Sequence, residues 1–104
     1  MSNQVAKHRD LLGRRLALVA DVSALNAEAL KLTQSIAGLE MEVLRCELEI
    51  ARNGESVELV RDLHEASSNA EATAAARSDC EERIAAVEEE VREVDRMLAA
   101  IGGN

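Results

Sequence analysis

The chain has 104 residues, of which 47% are hydrophobic, yet it contains no Pro, Phe, Tyr or Trp. Nothing in it breaks a long helix, and the large side chains that dominate globular cores are missing. A net charge of −8 argues against direct nucleic-acid binding, which needs a cationic footprint or aromatic stacking platforms.

Two cysteines in an acidic, helix-prone chain do not make a disulfide framework. Residues 1–10 lack the apolar core of a signal peptide, and no stretch is apolar enough to span a bilayer. The expectation is a cytoplasmic, all-α protein without membrane contact, forming a single helical-hairpin domain over residues 1–104.

The first helix is predicted over about residues 3–52, with Ser2 or Asn3 able to cap its free amides. Apolar residues recur at alternating spacings of four and three: Leu18, Val22, Leu25, Ala29, Leu32, Ile36, Leu39, Val43, Cys46, Ile50. With Val22 as a, this is a coiled-coil seam sustained over more than four heptads. The same register extends upstream through Arg15 and Leu11 to His8. Gly13 and Gly38 fall at outward positions, where each weakens the helix without disturbing the seam.

The seam stops at Asn53-Gly54, the one helix-ending signal in mid-chain. Gly there takes the left-handed conformation that closes a helix, and Ser56 can cap the next. A turn over residues 53–56 and a second helix over about 57–101 follow. The second seam is Leu59, Leu63, Ala66, Ala70, Thr73, Arg77, Cys80, Ile84, Val87, Val91, Val94, Leu98 and Ile101. Ser68 with Glu71 resembles a capping box that could break this helix, but the heptad phase runs straight through it. The turn is not the Trp-x-Gly turn of the short secreted helical-hairpin proteins, so no family is carried by specific residues.

Folding the chain back at Gly54 tests the two seams against each other. Pairing residues whose numbers sum to 109 matches every seam position on both helices. Leu18 meets Val91, Leu11 meets Leu98, and Ile36 meets Thr73. The basic run Lys7, Arg9, Arg14, Arg15 returns beside the acidic run Glu88, Glu89, Glu90, Glu93, Asp95. The predicted fold is therefore a long antiparallel coiled-coil helical hairpin. A parallel pairing through the same seam would oppose Glu40, Glu42, Glu47 and Glu49 as like charges.

A second apolar stripe marks the back of helix one, on its b and f positions: Leu16, Ala20, Ala27, Leu30, Ala37, Met41, Leu44, Leu48 and Ala51, interrupted by Ser23 and Gln34. Helix two has no equivalent, its outer positions being mostly Glu, Arg, Ser and Ala. Covering each large side chain in the stripe contributes ~1.5–3 kcal/mol as an upper figure, whereas an exposed charge pair contributes only a few tenths. The stripe is thus expected to meet a partner. The predicted interface residues are Leu16, Leu30, Ala37, Met41, Leu44 and Leu48. A second copy, giving a homodimeric four-helix bundle or a higher oligomer, is the first expected partner, and another protein the next.

No pattern carries chemistry. Cys46 and Cys80 sit on the inner seams, offset by ~25 Å in the hairpin at the helical rise, too far for a disulfide. They read as buried small hydrophobes. No Cys-x-x-Cys or paired His suggests a metal, and His8 and His64 read as surface. Arg77, at a seam position, packs its stem and sends its head outwards. Neither a cofactor nor enzymatic activity is expected, because acid–base catalysis needs a concave, partly dry pocket.

Two functions remain. The first is a non-enzymatic interaction module (adaptor, scaffold or chaperone-like subunit) acting through the stripe of helix one. The alternative is an acidic mimic of a nucleic-acid backbone that inhibits a DNA- or RNA-binding protein, as some phage-encoded counter-defence proteins do. Its face would be Glu81, Glu82, Glu88, Glu89, Glu93 and Asp95, interrupted by Arg83, Arg92 and Arg96.

Overall fold

In a computed structural model, which describes residues 2–102, the protein is an all-α hairpin of two long helices. Helix α1 spans Ser2–Asn53 and α2 spans Val57–Gly102. No strand occurs among the described residues. Helix α1 already includes Ser2 and Asn3, so the position before it, where a cap would sit, lies outside the described residues. Helix α2 runs through Ser67, Ser68 and Asn69 without a break, as the unbroken heptad phase requires.

The turn is built by two local devices. Gly54 adopts φ +83°, a conformation open to glycine because a Cβ would crowd the following carbonyl. Its amide donates to the Ile50 carbonyl at 2.8 Å, satisfying one of the free acceptors at the end of α1. Ser56 then opens α2, its Oγ accepting from the Leu59 amide at 3.1 Å, as an N-cap does. Asn53 is the last residue of α1, and residues 54–56 link the helices.

The chain divides into two compact units. The terminal unit comprises Met1–Ala27 and Cys80–Asn104. Its core is Leu11, Leu18 and Val94, with Val87, Val91, Leu98 and Ile101 packed against them. Both expected pairs, Leu18 with Val91 and Leu11 with Leu98, fall in this cluster. Cross-helix charges pair there too: Arg15 Nε donates to Asp95 Oδ1 at 2.6 Å, and Arg14 lies 3.9 Å from Glu90. The Cys80 thiol donates to the Leu25 carbonyl at 3.2 Å. His8 is exposed, so the buried seam of α1 begins at Leu11 and not at His8.

The turn unit is Glu28–Asp79. Ile36, Cys46 and Ala66 are buried, and the other seam residues, Thr73 and Arg77 among them, are half-buried. Beyond Leu59 and Leu63 the α2 side of this seam is thin, since Ala66, Ala70 and Thr73 stand where the terminal unit has Val and Leu. Small residues allow close approach of the two helices but remove little apolar surface from water.

Candidate protein-interaction surface

A helix packed on one partner covers its a and d positions and leaves b, c and f to solvent. In the turn unit this leaves Leu30 59%, Met41 72%, Leu44 55% and Leu48 46% exposed. Met41, Leu44 and Leu48 stand at spacings of three and four, and Leu30 lies eleven residues, about three turns, before Met41. Exposed Ala37 and Ala51 and the polar Gln34 lie on the same face. In the terminal unit Leu16 is 73% exposed. Every predicted interface residue is therefore open to solvent within its unit.

The charges bordering the stripe in the turn unit are sorted by sign. On one edge, at e positions, stand Glu40 and Glu47; on the other, at c positions, stand Lys31, Arg45 and Arg52. Arg45 also reaches away from the stripe, its Nη2 donating to Glu42 at 2.6 Å and its Nη1 to Glu49 at 3.1 Å. The Arg45 guanidinium holds the Glu42 carboxyl below its ordinary range, with burial and the Cys46 thiol as lesser influences.

Three apolar residues of the terminal unit escaped the b and f reading. Val5, Leu12 and Val19 are exposed at e positions, one heptad apart. Their spacing of seven was visible in the sequence, but e borders the seam and reads as partly covered. Helix α2 contributes Val57 and Val60, which with Glu55, Ser56, Arg61 and His64 line an open groove of about 600 Å³. Both valines lie outside the heptad seam, which is why the seam pattern passed over them.

Both cysteines are free and buried. Burial pushes the Cys46 thiol above its ordinary range, with the Arg45 charge acting against it, so the thiol stays protonated and unreactive near neutral pH. Among the described residues no group of His, Cys, Asp and Glu is placed to hold a metal ion. No described helix is long and apolar enough to cross a membrane.

The acidic face proposed for mimicry lies in the terminal unit and is partly neutralised by its own chain. Asp95 pairs with Arg15, Glu89 with Arg92 at 2.6 Å and Arg96 at 3.4 Å, and Glu93 with Arg96 at 2.6 Å. No family model, curated protein or solved structure matches the chain. The reading of function therefore rests on the surface itself.

Proposed function

We propose that the protein is a non-enzymatic protein–protein interaction module, an adaptor, scaffold or chaperone-like subunit. It acts through the outer stripe of α1 and assembles with a second copy of itself. The observation that carries this reading is the exposure of Leu30, Met41, Leu44 and Leu48 on one face of one helix in the turn unit. Each of these side chains loses ~1.5–3 kcal/mol of favourable transfer energy if fully left in water, a term no neighbouring surface ion pair offsets. A helix face of this kind pairs with an amphipathic helix by laying apolar anchors against it.

The mimicry alternative is weaker because Asp95, Glu89 and Glu93 already hold guanidinium partners. Charges so paired present a reduced field to a cationic protein. Salt separates the two readings: a mimic's binding falls steeply with ionic strength, whereas apolar burial holds or strengthens.

Light scattering after gel filtration provides the test. The wild-type chain is expected to run as a dimer at tens of micromolar, and Leu44→Glu as a folded monomer, since it places an unpaired charge in the contact. A dimer indifferent to Leu44→Glu would reject the stripe. Loss of partner binding on reversing Glu88, Glu89 and Glu93, with Leu44→Glu silent, would favour the mimic.

A further inference from the structure

The sorted charges beside the stripe say how a second copy sits on it. We infer that two chains pair through this face of the turn unit in parallel and in register, with Glu40 and Glu47 of each helix against Arg45 and Arg52 of the other. This rests on the stripe being the interaction surface, and it adds the partner's direction.

The stripe repeats as its own heptad, with Met41 and Leu48 at one set of core positions and Leu30, Ala37 and Leu44 at the other. Its acidic edge precedes the first set and its basic edge follows the second. When two such helices run parallel about a two-fold axis along their length, the edges exchange sides. Each acidic edge then faces a basic one. In an antiparallel pair, whose two-fold axis lies across the helices, like edges meet, Glu against Glu and Arg against Arg. Parallel two-stranded pairs also join a flanking residue to one five positions further along the partner. Glu40 to Arg45 and Glu47 to Arg52 have that spacing, and flanking charges of this type set partner choice and direction.

One further feature agrees. Within the turn unit Gln34 is the polar position of the stripe, and in a parallel, in-register pair it meets its own copy, where the two amides can hydrogen-bond. A single polar residue at such a position fixes register and strand number at some cost in stability. Arg45 holds Glu42 and Glu49 in the single chain; those contacts are solvent-exposed, and exchanging them for Glu40 of a partner costs little.

Direction can be read from the turn, which lies outside the stripe. A nitroxide on Glu55→Cys leaves the contact untouched, and the buried Cys46 and Cys80 stay unlabelled. Parallel pairing puts the two labels within about 30 Å, while antiparallel pairing centred on the stripe puts them more than about 40 Å apart at the helical rise. The edges are tested separately. Glu40→Arg with Glu47→Arg is expected to weaken self-association on the order of ten- to a hundredfold, and adding Arg45→Glu with Arg52→Glu to restore it. Circular dichroism confirms that each surface variant folds.

A short label distance with rescue by the fourfold swap supports the parallel pair. A long distance, or a dimer that ignores edge charge while Leu44→Glu still dissolves it, overturns the parallel arrangement and leaves the stripe standing as the surface. A wild-type monomer at tens of micromolar overturns self-pairing altogether. A dimer untouched by Leu44→Glu overturns the stripe reading on which the inference rests.

Discussion

The two units of this hairpin are held by different means, although one heptad pattern writes both. In the terminal unit the seam is Leu and Val against Val, Leu and Ile, with the Arg15–Asp95 pair across it. In the turn unit α1 keeps its large residues, and α2 answers with Leu59 and Leu63 beside the turn but with Ala66, Ala70, Thr73 and Arg77 beyond them. Beyond Leu63 the α2 side of that seam has smaller apolar side chains to bury, and the turn unit also carries four of the five large residues of the outer stripe. The lesson concerns division of labour. Both units leave apolar side chains in water, Val5, Leu12, Leu16 and Val19 in the terminal one. Only the turn unit joins a seam thinned on α2 to an apolar back continuous from Ala37 to Ala51, and it is the one that gains most from a partner.

The largest expected effect breaks the scaffold. Leu18→Ala removes a buried side chain from the terminal core, where the facing valines cannot collapse into the space without bending two helices. It should cost about 2–4 kcal/mol, read by urea unfolding followed by circular dichroism. Because Leu18 faces inwards and lies outside the turn unit, whose part of the stripe carries the pairing, the self-association constant of the remaining folded chain should stay unchanged. A cost under ~1 kcal/mol would show that the terminal unit is not the firmly packed one.

Much of this contrast was legible in the sequence. The seam could be read because a 3.5-residue repeat is a local property of the chain, and every seam residue from Leu11 to Ile101 is at least half-buried. The turn could be read because Asn53-Gly54 followed by Ser56 carries its own backbone chemistry, which Gly54 and the Ser56–Leu59 bond express. What could not be read depends on competition between equivalent partners. Arg92 has Glu88 four residues and Glu89 three residues before it, both at helix-neighbour spacing, and takes Glu89, a choice set by rotamers and not by spacing. Nor did the pattern foretell that Val5, Leu12 and Val19 stay exposed beside the seam, because a lone partner helix shields only a strip one side chain wide.

Two glycines of equal helix propensity should respond with opposite sign. Gly54→Ala forces a Cβ into the left-handed region and should cost about 1–2 kcal/mol, although the space around it is open. Gly38→Ala, in the same unit, adds a Cβ that meets nothing within 4 Å and should gain about 0.5–1 kcal/mol. Thermal unfolding of the pair distinguishes conformational strain from packing. If both substitutions lowered Tm, the glycine at 38 would have a contact role that the turn unit does not show.

A smaller gain should come from the thin seam itself. Thr73 is half-buried, and its hydroxyl turns back to the Asn69 carbonyl at 2.7 Å, a bond that adds little to a helix. Thr73→Val keeps the shape, places a methyl in the seam, and should stabilise by about 0.5–1 kcal/mol. The same exchange would have no counterpart in the terminal unit, whose seam on α2 from Ile84 onwards is already aliphatic. A loss of stability would mean that the polar group, and not the missing apolar surface, is what the turn unit uses here.

The smallest effect is electrostatic and should be shared by both units. Glu42 in the turn unit and Glu89 in the terminal unit are each held below the ordinary carboxylate range, first by a hydrogen-bonding guanidinium, Arg45 and Arg92 respectively. A carboxyl whose folded value is depressed binds fewer protons folded than unfolded. Its contribution is therefore present above the ordinary carboxylate value and is lost as pH falls through the depressed one. Stability should decline slightly on acidification below about pH 4.5, and Glu42→Gln and Glu89→Gln should each flatten that decline. Because both groups are solvent-exposed, 1 M salt should nearly erase the effect. The Cys46 thiol acts in the other direction: raised by burial, it holds stability up to the ordinary thiol range and loses it as pH climbs through its raised value. Cys46→Ala should remove that alkaline loss from the turn unit alone, leaving the terminal unit's acid response as it was. A pH profile of Tm for these three variants would show whether the units titrate independently. An alkaline loss that persisted in Cys46→Ala would place its origin outside the seam of the turn unit.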